Sequence, residues 1–144
     1  MKLKTILLVE DNPRDAELTF EALSENNMGN EIVWVRDGVE ALNYLNATDQ
    51  YADREPDLPA VVLLDLKMPR MDGIETLTAI KNDPNLKFLP VVMLTSSRQE
   101  KDLVRTYNLG VNAYVVKPVD LDSFIQAIKQ LGAFWVVINE LPKQ

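Results

Sequence analysis

Three apolar runs of the chain are each followed at once by polar side chains that could take part in a reaction. These side chains are Glu10, Asp11, Asp65 and Thr95. Such runs predict strands buried on both faces, and open α/β sheets have their ligand crevices at the carboxyl ends of their strands. We therefore expect the four side chains to share one pocket. Carboxylates a few ångströms apart repel each other strongly, so this pocket predicts a neutralising cation.

Another apolar run, Ala113–Val116, is followed by Lys117 and Pro118, which adds an ammonium group to the predicted pocket. Ligands that offer only oxygen favour Mg²⁺, which binds one or two carboxylates together with phosphate oxygens. Lys117 would supply a second positive charge, and the Thr95 hydroxyl a donor, for an oxyanion that arrives at Asp65. These groups together predict phosphoryl transfer onto an aspartate.

Each of these residues also has a simpler structural interpretation. Glu10 and its neighbours could cap a helix, Asp65 could lie in a turn, Thr95 could help to cap another helix, and Lys117 could be a surface lysine. Their coincidence at the ends of four predicted strands favours a shared site over four separate structural roles.

The composition of the 144-residue chain excludes several classes of function. Hydrophobic residues make up 47%, which suits one domain with a core. The net charge of −7, without a Lys/Arg cluster, predicts no direct nucleic-acid binding and no membrane binding. The chain has no Cys and no His, which excludes thiol chemistry, an imidazole base and a phosphohistidine of its own. We expect a cytoplasmic protein without a signal peptide.

Strand-like and helix-like segments alternate five times along the chain. Strands are predicted at Thr5–Val9, Ile32–Val35, Ala60–Leu64, Val91–Leu94 and Ala113–Val116. Helices are predicted from Pro13 to the Asn26–Gly29 segment, at Val39–Asn46, Ile74–Asn82 and Gln99–Tyr107, and from a cap at Asp120 or Asp122 onward. These spacings predict an α/β fold, in which a five-stranded parallel sheet lies between two helical layers of a single domain, residues 1–144.

The last predicted helix is unusually long and apolar. Its apolar stripe continues from Phe124 to Ile138, and the segment around Phe134 and Trp135 is apolar nearly all round. Residues 132–144 are a C-terminal extension that either packs on the domain or completes a homodimer face. We predict the homodimer, with Phe134 and Trp135 as candidate anchors.

The motifs together resemble those of the two-component response regulator receiver domain, the CheY-like family. The matching stretches are Val9–Asn12, Leu64–Gly73, Leu94–Ser96 and Lys117–Pro118, and the resemblance extends over nearly the whole chain. It implies a flavodoxin-like (βα)5 three-layer sandwich and a phosphoacceptor that is not an enzyme beyond slow self-catalysed gain and loss of the phosphoryl group. The tail and the loop at Ala47–Leu58 resemble the stand-alone regulators of bacterial and cyanobacterial phytochrome kinases.

The resemblance also implies a role for each residue of the predicted site. Asp65 accepts a phosphoryl group from a phosphohistidine of a sensor histidine kinase, and Lys117, which precedes a cis peptide to Pro118, binds that group. Mg²⁺ is held by Glu10 (directly or through water), Asp11, Asp65 and the backbone carbonyl of Lys67. Thr95 and Tyr114 form a switch pair that changes protein contacts when the phosphoryl group arrives.

Two other classes of function are alternatives. An aspartate-nucleophile phosphohydrolase usually carries a second carboxylate two residues beyond its nucleophile, where this chain has Lys67. A receiver-like binding module that is never phosphorylated would not need the complete set of site residues. The five scattered glycines do not support a nucleotide-binding loop.

Overall fold

The computed structural model describes residues 5–24, 31–54, 57–96 and 113–131. Its strands are β1 (Ile6–Val9), β2 (Ile32–Val35), β3 (Val61–Asp65), β4 (Val91–Thr95) and β5 (Tyr114–Val116). Its α-helices are α1 (Pro13–Ser24), α2 (Gly38–Asn46), α3 (Gly73–Asn82) and α4 (Leu121–Gln130), with a short 3₁₀ helix at Asp49–Tyr51. The strands lie within one residue of their predicted bounds.

The five strands form one parallel sheet in the order β2-β1-β3-β4-β5, which confirms the predicted α/β fold. Ile6 of β1 pairs with Ile32 on one side and with Val61 on the other. The chain therefore adds β2 to one side of β1 and the later strands to the other. Sheets of this kind have their ligand crevice at this reversal point, next to the carboxyl ends of β1 and β3.

Alternate residues of the strands pack into two hydrophobic clusters, one on each face of the sheet. On one face, which we call the α1/α4 face, Leu8 and Leu63 pack with residues of α1 and with Phe124 of α4. On the opposite face, which we call the α2/α3 face, Leu64 packs with residues of α2 and with Leu77 of α3. The predicted three-layer arrangement is thereby confirmed.

The described helices begin after polar residues whose side chains accept hydrogen bonds from backbone N–H groups of the first turn. These residues are Asn12, Asp37, Asp72 and Asp120. The helices α2 and α3 begin at Gly38 and Gly73, one residue earlier than predicted, because the capping aspartates directly precede these glycines.

Three predicted features lie outside the described residues: the end of the first helix at Asn26–Gly29, the helix at Gln99–Tyr107 and the extension at 132–144, with Phe134 and Trp135. Within the described part of the chain, α4 ends at Gln130, and Leu131 packs against the cluster on the α1/α4 face. The continuation of this helix beyond Leu131 stays a prediction. None of the described helices has the length and apolar character needed to cross a membrane.

Candidate functional site

Side-chain alternation directs three of the predicted site residues to the α1/α4 face. Glu10 lies two residues after Leu8, and Asp65 two residues after Leu63, and both leucines belong to the cluster on that face. Lys117 follows β5 with the same alternation. The three side chains therefore converge at the carboxyl ends of β1, β3 and β5.

The Lys117 ammonium lies at the centre of this site. Its Nζ is 3.0 Å from Oε1 of Glu10, 3.0 Å from Oδ2 of Asp15 and 3.2 Å from Oδ1 of Asp65. Glu10 and Asp65 are buried, with only 0% and 4% of their surface exposed. The peptide bond between Lys117 and Pro118 is cis. Lys117 thus connects the ends of three strands to helix α1.

Glu10, Asp11 and Asp65 form a cluster of carboxylates that could share one metal ion. One oxygen atom of each residue lies within 4.8 Å of the others. The donors are all carboxylate oxygens, which suit a hard divalent cation better than a soft one. The three residues line a cleft of about 540 Å³ together with Lys67 and Ser96, among others. This arrangement fits a metal ion next to a small anionic group.

Burial and crowding change the proton affinities at this site. The pKa of Glu10 is raised to about 8, first by burial and then by the adjacent Asp65 carboxylate, against the opposing effect of Lys117. Burial by itself lowers the pKa of Lys117, but the hydrogen bond to Asp15 and the charge of Asp65 raise that pKa overall. A divalent cation beside Glu10 would favour its ionised form.

The raised pKa of Glu10 predicts that the metal-free protein loses stability as the pH rises. The folded state keeps the Glu10 proton up to about pH 8, whereas the unfolded chain releases it near 4.5. The free energy of unfolding should therefore fall between these pH values, by on the order of 5 kcal/mol. Urea unfolding at several pH values across this window measures the change.

Glu10→Gln is the control for this prediction, because an amide does not titrate in this window. The difference in unfolding free energy between this variant and the wild type should grow as the pH rises. Saturating Mg²⁺ should reduce the pH dependence of the wild type. A difference that stays constant across the window would contradict the assigned pKa.

The loop between β3 and α3 is held by backbone hydrogen bonds and by an ion pair. The backbone N–H of Gly73 donates to the carbonyl of Leu66 at 2.8 Å, and the N–H of Leu66 donates to Oδ1 of Asp65 at 2.9 Å. Arg70 has a positive φ of 61°, and its Nη2 lies 2.7 Å from Oδ2 of Asp37. These contacts attach the loop that follows Asp65 to the start of α2.

Thr95 is not among the residues that line this cleft, although the sequence predicts it there. It lies two residues after Met93, which packs on the α2/α3 face, so alternation directs it away from Asp65. Its Oγ1 is buried and has no hydrogen-bond partner among the described residues. Ser96, the next residue, lines the cleft instead. Tyr114 shares the face of Thr95, because it pairs with Met93 across β4 and β5.

The structure adds Asp15 and Ser96 to the site, and sequence analysis singled out neither as a site residue. Asp15 lies in the first turn of α1, four residues after Asp11, which precedes the helix. That spacing was the available signal for Asp15. Its partner Lys117 is 102 residues away, so the contact itself was not visible in the sequence.

Comparison with known proteins gives consistent matches. The family model described as response regulator receiver domain matches residues 6–129. The response regulator Rcp1 of Synechocystis sp. is 38% identical over 139 residues, which cover 96% of this chain and 93% of Rcp1. The chain therefore matches its relatives over nearly their full length.

Solved structures give the same result. The bacteriophytochrome response regulator AtBRR is 58% identical, with a TM-score of 0.92, over 97% of this chain and 100% of that chain. The phosphorylated cyanobacterial phytochrome response regulator RcpA is 42% identical, with a TM-score of 0.74, over 99% and 100%. The Mn(2+)-bound form of Rcp1 is 37% identical, with a TM-score of 0.72, over 97% and 99%.

Proposed function

Because the chain belongs to the response regulator receiver family, it is a response regulator of a phosphorelay, and we propose that Asp65 is its phosphoacceptor. The observation that carries this proposal is the surroundings of the Asp65 carboxylate. It is buried at a strand end, 3.2 Å from the Lys117 ammonium and within 4.8 Å of the Glu10 and Asp11 carboxylates. These are the components of phosphoryl transfer onto a carboxylate.

In the proposed reaction, a carboxylate oxygen of Asp65 forms a bond to the phosphorus of a phosphohistidine. The P–N bond breaks at the same time, and its electron pair stays on the imidazole nitrogen of the donor protein. The phosphohistidine lies outside this chain, which has no His. The Lys117 ammonium stabilises the negative charge on the phosphoryl oxygens, which raises the rate when charge develops there.

We propose Mg²⁺ as the cation of the site. Its ligands would be Glu10 (directly or through water), Asp11, Asp65 and the backbone carbonyl of Lys67. When bound, the ion neutralises the clustered carboxylates and the oxygens of the incoming phosphoryl group. The support is the oxygen-only donor set, together with the Mn(2+)-bound structure of the relative Rcp1.

The proposed partner is a sensor histidine kinase of the phytochrome class. The support is the similarity to AtBRR, a bacteriophytochrome response regulator, and to the phytochrome response regulator RcpA. We propose a cytoplasmic location because a chain without Cys suits a reducing compartment. Output through protein contacts, without direct binding to nucleic acid or membrane, suits the net charge of −7.

We propose that Thr95 and Tyr114 form the switch that reports the phosphoryl group. The buried Thr95 hydroxyl has no hydrogen-bond partner among the described residues, so an acceptor within reach would stabilise a new position for it. Tyr114 is half-buried on the same sheet face and could follow this movement. A charge of about −2 on the phosphoryl group provides the bias between two packings.

The proposal makes the chain a phosphoacceptor that turns over no substrate of its own, apart from slow self-catalysed gain and loss of the phosphoryl group. Lys67 occupies the position where an aspartate-nucleophile phosphohydrolase usually has its second carboxylate. The ammonium group of Lys67 does not replace that carboxylate as the general acid or base of the hydrolysis. A module that is never phosphorylated is the other alternative.

Incubation with Mg²⁺ and acetyl phosphate, followed by measurement of the intact mass, tests the proposal. The wild type should gain a single phosphoryl group, and peptide mapping should locate it on Asp65. A folded protein that binds Mg²⁺ but gains no phosphoryl group, either from acetyl phosphate or from a cognate kinase, would contradict the proposal and favour the unphosphorylated module.

We further propose that the single domain forms a homodimer through its extension at residues 132–144. The proposal rests on Phe134 and Trp135, because large aromatic residues often anchor protein interfaces. Truncation after Leu131 should reduce the solution mass from dimer to monomer, as measured by light scattering. An unchanged mass would contradict the role of the extension.

A further inference from the structure

Asp15 binds the site lysine from outside the carboxylate cluster. Its Oδ2 lies 3.0 Å from Nζ of Lys117, as close as Oε1 of Glu10. The cluster of described carboxylates that could share one ion consists of Glu10, Asp11 and Asp65. Asp15 therefore contacts the ammonium without belonging to the set of candidate metal ligands.

Lys117 and a divalent cation compete for the same carboxylates. The ammonium contacts both Glu10 and Asp65, and these two residues are also candidate ligands of the cation. Two cations at the same oxygens repel each other, and the repulsion is strong where water is excluded. The side chain of Lys117 is only 17% exposed, so water solvates its charge poorly. Metal binding is therefore favoured if the ammonium has another partner.

Asp15 is such a partner, on the more open side of the site. Its side chain is 33% exposed, against 1% for Glu10 and 6% for Asp65. Its position is fixed by the first turn of α1, where the hydroxyl of Thr19 donates to the Asp15 carbonyl at 2.9 Å. An ammonium that stays on Asp15 remains within the cleft while the two buried carboxylates are released.

We propose that Asp15 is a positioning residue that holds the Lys117 ammonium while a divalent cation binds Glu10 and Asp65. This inference rests on the proposed function, because it concerns the cation and the lysine of that site. Asp15 acts through Lys117 and does not touch the reacting atoms. Its removal would make the ammonium depend on Glu10 and Asp65, and so compete with the cation.

The first test is the affinity for Mg²⁺ alone, measured by isothermal titration calorimetry. Asp15→Asn should raise the dissociation constant about 3- to 10-fold, the size expected for a partly exposed ion pair. Asp15→Glu keeps the carboxylate and should restore the affinity to within about twofold. Glu17→Gln is the matched control, because it removes the same charge from the same helix. Glu17 lines a different groove, with Phe20 and Ile32.

A double-mutant cycle with Lys117→Met separates positioning from a general charge effect. If Asp15 acts through Lys117, Asp15→Asn should change the affinity in the Lys117→Met background no more than Glu17→Gln does. An effect of Asp15→Asn that is as large in this background as in the wild type would overturn the inference. An effect no larger than that of Glu17→Gln in the wild-type background would also overturn it.

Labelling by acetyl phosphate distinguishes this inference from the proposed function. In one outcome, the double-mutant cycle shows that Asp15 and Lys117 are coupled in their effects on Mg²⁺ affinity while the wild type never gains a phosphoryl group. That result would support the role of Asp15 and contradict Asp65 as acceptor. If the wild type is labelled but the double-mutant cycle shows no coupling between Asp15 and Lys117, the inference alone is contradicted.

Discussion

Asp65→Asn is expected to abolish phosphoryl acceptance and to leave the fold intact. An amide is a poor nucleophile, so the rate of labelling by acetyl phosphate in Mg²⁺ should fall at least about 1,000-fold. Asn is nearly isosteric with Asp, and its carbonyl oxygen can still accept the hydrogen bond from the Leu66 N–H. Intact mass over time measures the labelling rate.

Asp122→Asn is the matched control, because it removes the same charge at a different place. Asp122 is exposed in the first turn of α4. This variant should be labelled at the wild-type rate. Urea unfolding of Asp65→Asn should show little loss of stability, because Asn still accepts the Leu66 hydrogen bond and Lys117 keeps its contacts with Glu10 and Asp15. Labelling of Asp65→Asn at the wild-type rate would make the acceptor assignment wrong.

Gly73→Ala is expected to destabilise the protein by about 3 kcal/mol, because a new methyl group would collide with backbone. A Cβ atom at Gly73 would lie 2.8 Å from Cα of Leu66, and still closer to the backbone carbonyl oxygen of Asp65. These are main-chain atoms at the end of β3, so they cannot rotate away as a side chain could. Relief of the collision requires movement of the strand end that carries the acceptor.

The sign of this effect distinguishes the collision from an ordinary change of backbone entropy. Gly73 is in the first turn of α3 and does not have a positive φ, so Ala would otherwise stabilise the fold by about 0.4–1 kcal/mol. Urea unfolding measures the net change, and calorimetry should show weaker Mg²⁺ binding. A variant that is as stable as the wild type, or more stable, would contradict the close contact between Gly73 and Asp65.

The fold class could be predicted from the sequence because strands buried on both faces leave a strong local signal. Apolar runs, the helix caps and the Pro or Gly residues near them are properties of neighbouring residues. Parallel strands separated by helices then have few allowed connections. The same reasoning predicted Glu10, Asp11 and Asp65 at one edge, because their positions follow from where each run ends.

Side-chain direction was harder to predict because it depends on alternation relative to a defined sheet face. Thr95 and Asp65 both end their strands, yet alternation places Thr95 on the α2/α3 face with Met93 and Asp65 on the α1/α4 face with Leu63. A shift of one residue in a strand reverses the face of every side chain. The sequence predicted which residues end the strands and that Glu10, Asp65 and Lys117 meet, but it also placed Thr95 in their cleft, which Thr95 does not line.

By itself, the sequence determined where the strands lie along the chain, which edge of the sheet is acidic and which residue is a nucleophile candidate. Only the tertiary structure decided that Asp15 binds Lys117, that Arg70 binds Asp37, and that Gly73 must lack a side chain. Asp15 and Lys117 are 102 residues apart, and Arg70 and Asp37 are 33 apart. Local patterns specify elements, whereas such distant pairs form only when packing brings the ends of several elements together.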